Sequence, residues 1–452
     1  MTQRLGIERR KFLGSAAAAT VVTAATSGTA SANTSTSTAA AQPATRRADR
    51  RVRLGLNYTP SRSWWYSWSD WDTRSIDADL ADIEALGMDH IRIMGIWPEL
   101  QPNATHVNGE MVGRIRRTLD LAGAHRLQVE VTVLDGAVSG FLFVPPWLMN
   151  NGNGQVTNFF TDPDAIAAQQ RLFAALGAGL GDHPSLLGFD LSNEIYWFAQ
   201  PFGIDVAPPV GDVWLRAMFD AAAKAAPGRL HVAGIDHLPW LNDDYFSRDA
   251  LGTTGTLSAN HTWAGWADVF NTYGPMSTPS LHYSEYFIEL IKAFHTDLSR
   301  QVWIEETGVS KVWMDPSLIP SWTEQSIRNM AGCEDFWGVT WWCSHEVSQA
   351  FTGFNPLEYD LGVYTNDRKL KPIGATIARL AREYDQHPPE PLHRDTALVL
   401  PDGLVPWTPF FEPFMKLIDK GVRPAVVKAS RAGDKAYLHA RGIDRLIQLD
   451  QV

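Results

Sequence analysis

The chain has 452 residues, 45% of them hydrophobic and 20% charged, the make-up of a soluble globular protein. Its formal net charge is −11; eight Lys/Arg against two Asp/Glu within 1–51 give a local +6 and leave −17 on the rest. So acidic a body excludes nucleic acid and anionic membrane from the expected partners.

Glu8-Arg9-Arg10-Lys11-Phe12-Leu13 precedes a small-residue apolar run from Gly14 to Ala25, and Ala30-Ser31-Ala32 follows as an A-x-A cleavage site. That order predicts a twin-arginine-type export signal over 1–32 and a secreted, extracellular product. The apolar run is too short to span a membrane. Residues 33–50, rich in Ser, Thr and Ala, read as a disordered linker. The twin-arginine route carries folded protein, so Cys333 and Cys343 need not pair, and two cysteines could not staple a chain this long.

From residue 51 strands and helices alternate. Strands are expected at 52–58, 90–94, 128–134, 187–193, 230–234, 257–261, 302–306 and 339–342. Helices are expected at 76–86, 111–124, 163–180, 213–225, 284–298, 322–333 and 371–384. Ile76, Leu80, Ile83 and Leu86 share one face of the first helix, and Pro163 sits just inside the start of the third. The repeat predicts an α/β fold, a (β/α)8 barrel over 51–385. The segment 386–452 breaks the pattern. Short strands at 396–400, 424–429, 435–439 and 443–449 predict a small β-rich C-terminal appendage, a packing cap on the barrel rather than a binding module.

Two of the predicted strands end in acids. Leu187, Phe189 and Leu191 alternate up to Asn193-Glu194, and Val302-Trp303-Ile304 runs into Glu305-Glu306-Thr307-Gly308. Strands 4 and 7 of a barrel deliver such side chains to one mouth. A carboxyl pair there suits glycosidic bond cleavage: one acid protonates the leaving oxygen, and the other meets the oxocarbenium centre. Their mutual repulsion separates the two pKa values. Adjacent strand residues point to opposite faces, so only one of Glu305 and Glu306 is expected in the mouth. The spacing to Gly308 selects Glu306 and leaves Glu305 a supporting acid. His261, His282 and His345 lack ligand spacing, so neither metal nor cofactor is expected. Eighteen tryptophans, many near strand ends, suit core filling or the apolar face of a pyranose.

These residues resemble glycoside hydrolase family 5 of the retaining (β/α)8 clan over roughly 52–384. Asn193-Glu194 is similar to its strand 4 pair, in which Glu is the acid/base and Asn bonds the sugar 2-hydroxyl. Glu306-Thr307-Gly308 is similar to the strand 7 Glu-x-Gly, in which Glu is the nucleophile. Arg92 in Ile91-Arg92-Ile93 resembles the arginine that keeps the nucleophile ionised. Trp342 resembles the strand 8 tryptophan under the −1 sugar. His261-Thr262-Trp263 resembles a His-x-Tyr, with Trp263 in place of Tyr. That exchange removes a hydroxyl that often bonds the nucleophile, and a neighbour such as Tyr283 is expected to take over. Asp135, in Leu134-Asp135-Gly136, stands where many members have histidine. Asp135, Tyr196, Trp197, His237 and Glu346 follow strands 3, 4, 5 and 8 and are candidate subsite residues.

Residues 56–61, the cluster Trp64, Trp65, Trp68 and Trp71, and residues 341–345 resemble subfamily 18 of actinobacteria. That resemblance implies removal of β-linked mannose from mannosyl-β-1,4-N-acetylglucosamine in a pocket closed at one end. The four tryptophans either wall that pocket or plug the space between loops. An endo-β-1,4-mannanase or cellulase of the same family is the alternative. A non-catalytic carbohydrate-binding barrel usually lacks one acid, and both are present here.

Overall fold

The computed structural model describes residues 52–149 and 154–452. The expected signal peptide at 1–32 and linker at 33–50 lie outside them. Eight parallel strands form one sheet: β1 (Arg53–Asn57), β2 (His90–Ile96), β3 (Gln128–Asp135), β4 (Leu186–Asn193), β5 (Leu230–Gly234), β6 (Ser258–His261), β7 (Val302–Thr307) and β8 (Phe336–Trp341). Their spatial order is β5-β4-β3-β2-β1-β8-β7-β6, so the sheet curls into the expected barrel. Between β5 and β6 no strand ladder forms among the described residues. The seam is bridged instead by Thr256 N–H to His231 C=O at 2.9 Å and by His261 N–H to Ile235 C=O at 2.8 Å. Nearly every strand residue is buried, as expected where helices cover one face and packed side chains the other.

The helices are set by local chemistry. In α1 (Thr73–Ala85) the Asp72 carboxylate accepts from Arg74 and Ser75 N–H, and Ile76, Leu80 and Ile83 face inward. Asn108 caps α2 (Gly109–Ala124) in the same way. Asp162 caps α3 (Pro163–Leu180), whose first residue is a proline already fixed at helical φ. The helix α4 (Pro208–Ala225) leads into β5. Between β5 and β6 the barrel has only short helices, the last being α5 (Arg248–Thr253). The later long barrel helices are α6 (Tyr283–Lys292), α7 (Ile319–Ala331) and α8 (Pro372–Gln386).

The C-terminal segment holds the strands β9 (Thr396–Leu400), β10 (Ala425–Lys428) and β11 (Arg445–Ile447), parallel in the order β10-β9-β11. It also holds two helices, α9 (Thr408–Asp419) and α10 (Lys435–Ala440). Residues 435–439, expected as a strand, are therefore helical: the Asp434 side chain accepts from Tyr437 N–H and starts α10. Pro413 inside α9 hid that helix from periodicity.

The segment packs on α6, all of whose residues are buried. Glu285 of α6 accepts from Arg394 at 2.7 Å and from Arg423 Nε and Nη2 at 2.7 and 2.6 Å. Glu289 lies 3.3 Å from Arg394 and 3.6 Å from Arg441. Cys333 and Cys343 are both buried; their thiols donate to the Asn329 and His345 carbonyls at 3.8 and 3.4 Å.

Candidate active site

Arg92 projects from β2 into the barrel and is fully buried. Nη1 donates to Asn57 Oδ1 and Glu306 Oε2, each at 3.1 Å, and Nη2 to Asp190 Oδ2 and Asn193 Oδ1, each at 2.8 Å. Nε lies 3.2 Å from Glu305 Oε1. The two Nη atoms thus give all four of their N–H groups to four partners, while Nε faces Glu305 without forming a hydrogen bond. Gly234 makes room for the hub, since a Cβ there would lie 3.0 Å from Nη2.

Glu194 and Glu306 meet above Arg92. One oxygen of each, with a ring nitrogen of His261, falls within 4.8 Å of the other two. Both acids keep a sliver of solvent access, 8% and 7%, whereas Glu305 has none. Glu194 leaves β4 with φ of 43°, a left-handed conformation that is costly for a side chain and concentrated at functional sites. His261 Nδ1 sits 2.9 Å from Glu194 Oε1 and 3.6 Å from Glu306, and its Nε2 sits 3.4 Å from Glu305. Burial opposes a charge on His261, but Glu306 facing it, with the hydrogen bond to Glu194 and the nearby Glu305, carries it up to about 10. Burial and the Glu194 charge raise Glu306, against the pull of His261, Arg92 and Trp263. Glu305 is held below its ordinary value, because Arg92 and His261 outweigh its burial.

Trp263 supplies what its missing hydroxyl was expected to remove. Its Nε1–H donates to Glu306 Oε1 at 2.8 Å. Tyr283, the expected substitute, instead packs among His237, Phe287, Trp407 and Phe411. Gly308 permits the arrangement: a Cβ there would lie 2.6 Å from the Trp342 carbonyl and 2.8 Å from the Trp263 ring.

Glu305 and Glu306 do not point to opposite faces, as strict alternation would require. From Ile304 to Glu306 β7 advances two residues while β6 advances one, from Asn260 to His261. This bulge in β7 breaks the alternation, so both carboxylates reach Arg92 and His261. Similar slips occur in β4 before Asn193 and in β3 before Asp135.

The other expected residues divide. Asn193 bonds Arg92 and donates to Ala137 C=O at 2.7 Å. Asp135 is fully buried beside the mouth, and neither carboxylate oxygen has a hydrogen-bond partner. Burial pushes it up to about 8, with Asp190 and Glu306 adding to the rise and Arg92 opposing it. Tyr196 is buried near Asp236 and Glu194, whose charges, after burial, raise its hydroxyl pKa. Trp197 donates to Asp236 at 2.8 Å. Trp64 sets its ring edge-on to Trp342 with centroids 5.9 Å apart. Trp65 packs on Phe141, Phe143 and Phe354, and Trp68 donates to Met94 C=O, so these two plug the space between loops. Trp71 stacks on Trp68. Glu346 is tied to Lys371 at 2.6 Å.

Sequence reasoning missed Asn57, Glu130 and Asp190. Asp190 Oδ2 accepts from Thr132 and Arg92, and its Oδ1 from Gly234 N–H. Burial and the Glu305 charge raise Asp190 to about 6, and they hold Glu130 well above its ordinary value. The clue was that inward positions of β3 and β4 carry acids where a barrel interior normally carries aliphatics. Elsewhere Asp79, Asp82 and His345 cluster, but the Arg368 guanidinium already reaches both carboxylates, at 2.8 and 3.5 Å.

Neither a protein-family model nor a curated protein matches the chain. Solved structures do. A glycoside hydrolase family 5 subfamily 18 protein from Streptomyces cattleya, in complex with Manβ1-4GlcNAc, is 35% identical; the match covers 88% of this chain and 99% of that one at TM-score 0.85. A subfamily 18 protein from Bifidobacterium longum subsp. longum, also in complex with Manβ1-4GlcNAc, is 32% identical over 88% and 96% at TM-score 0.83. An exo-β-1,4-mannosidase from an Opitutaceae bacterium, 20% identical at TM-score 0.67, shares the fold.

Proposed function

The chain belongs to glycoside hydrolase family 5, subfamily 18, and from that premise we propose that this hydrolase is an exported exo-β-mannosidase. It takes mannosyl-β-1,4-N-acetylglucosamine and works by double displacement. The observation that carries the mechanism is the approach of Glu194 and Glu306 oxygens to within 4.8 Å. Retaining enzymes hold their acids ~5–5.5 Å apart, whereas inverting ones need ~6.5–9.5 Å to admit a water.

Glu306 attacks the anomeric carbon while Glu194 protonates the departing oxygen. Glu194 then takes a proton from water, which displaces Glu306. Arg92 and the Trp263 N–H favour the ionised nucleophile. His261 offers a cation to Glu194 whenever it has given up its proton. The Manβ1-4GlcNAc complexes of the Streptomyces and Bifidobacterium proteins support the sugar and linkage. The paired arginine and A-x-A site support export.

Proton NMR of the first sugar released from Manβ1-4GlcNAc should show β-mannose. An α-product would overturn double displacement, and no release from this disaccharide would overturn the substrate. A rapid fall in mannan viscosity would replace the exo reading with an endo one. Glu306→Gln should cost several orders of magnitude in kcat because the covalent step is lost.

A further inference from the structure

Six carboxyl groups share the barrel's upper interior: Glu130, Asp135, Asp190, Glu194, Glu305 and Glu306. Arg92 and His261 are the cations facing them. Two positive charges cannot offset six negative ones in a medium that hardly solvates ions, so some of the carboxyls must keep their protons. Contact geometry identifies which. Asp190, Glu305 and Glu306 touch Arg92, and Glu194 touches His261. Asp135 and Glu130 touch neither; Glu130 faces Glu305, while Asp135 lies beside the nucleophile Glu306.

Arg92 makes no hydrogen bond to Asp135: its four Nη hydrogens go to Asn57, Asp190, Asn193 and Glu306, and its Nε faces Glu305 at 3.2 Å. The groups facing Asp135 are Arg92 on β2, Asp190 on β4, Glu306 on β7 and the Ala137 amide beyond β3. Its chain neighbour Gly136 packs on the apolar Phe198. A fully buried carboxyl without a hydrogen-bond partner costs stability, and such a group in a folded protein calls for a functional reason. Asp135 also follows the extra residue in β3, which re-aims the strand end beside the mouth.

We propose that Asp135 is a substrate-binding residue that acts as an uncharged carboxylic acid, donating its O–H to an oxygen of the sugar held between Glu194 and Glu306. This deepens the hydrolase reading and rests on it. A carboxylate at this position would only accept, and it would add a negative charge beside Glu306 just where the nucleophile already carries one. The neutral acid avoids that repulsion and offers a donor to the ligand. Its rise to about 8 agrees with this role at neutral pH.

Comparing Asp135→Asn with Asp135→Ala on the full chain tests it. Asn preserves shape and an uncharged donor; Ala removes both. At pH 6, Asp135→Asn should keep KM within ~3-fold of wild type, while Asp135→Ala raises KM ~10- to 100-fold, the worth of a hydrogen bond to a sugar hydroxyl. The infrared difference between wild type and Asp135→Asn at pH 6 should contain a protonated carboxyl stretch, and raising the pH above about 8 should replace it by carboxylate bands. The proposal is overturned if Asn is as damaging as Ala, if neither variant moves KM, or if no protonated carboxyl is lost in Asp135→Asn. KM is read on whichever nitrophenyl glycoside a screen finds to be turned over. A failure of the mannose assignment then appears in the screen and leaves the Asp135 comparison intact.

Discussion

Trp263 shows at the scale of one residue how a function can survive a change of side chain. The nucleophile needs a donor on the oxygen that Arg92 does not reach, and an indole N–H at 2.8 Å serves as a phenol would. Trp263→Phe keeps most of the ring and removes the donor. A hydrogen bond to a charged group contributes about 1.5–3 kcal/mol, so kcat should fall ~10- to 100-fold with KM little changed. Because that N–H lowers the Glu306 pKa, its loss also moves the acid limb of the kcat/KM profile to higher pH. Steady-state kinetics from pH 4 to 8 check both. At this scale Glu194, Glu306, Asn193 and His261 were legible because each lies at the end of a recognisable strand, and Arg92 because it interrupts the apolar run of β2. Asp190 was not: between Phe189 and Leu191 it reads as the outward polar partner of an alternating run, while the fold turns it toward Arg92. The donor role of Trp263 was hidden because a motif compares residue names, not the direction of an N–H.

Among the elements, the extra residues in β3, β4 and β7 organise the site. Each lies in the last turn of its strand and lets consecutive side chains approach the same centre. Strict alternation, applied to Glu305-Glu306, failed for this reason; a bulge has no signature in a single sequence. The strands themselves were readable, being short apolar runs between capped helices. Helix α10 was misread because Tyr437 and Leu438 resemble a strand segment, although Asp434 stood in place as its cap. The turn after β7 is equally confined. Gly308→Ala would press a methyl onto the Trp342 carbonyl and the Trp263 ring. Overpacking of this kind costs about 1–3 kcal/mol, so the variant should melt several degrees lower and lose most of its kcat. Differential scanning calorimetry beside an activity assay would register both losses.

On the scale of the whole molecule, the C-terminal segment is welded to the barrel through ion pairs that surround α6. Burial alone would raise Glu285, but Arg394, His282 and Arg423 outweigh it and bring it down to about 2. A carboxyl whose folded pKa is depressed stabilises the fold above its unfolded value. That stability is lost as pH falls from about 4.5 through about 2. Between those values the linkage amounts to about 3 kcal/mol. Glu285→Gln should therefore melt well below wild type at pH 7, with the two melting temperatures converging as the pH is lowered toward 2. Thermal unfolding across that range checks it. Sequence alone offered no hint of this weld, since Glu285 and Arg394 are distant in the chain and each looks like an ordinary surface charge.

The joint between β5 and β6, where the described residues form no ladder, has a consequence for how the enzyme fails. Thermal breathing should part these two edges before any other pair, and His261 rides on one of them. The first opening would pull its imidazole off Glu194 while most backbone amides still resist deuterium. Turnover would then cease some degrees before the fold collapses, and cooling would restore it.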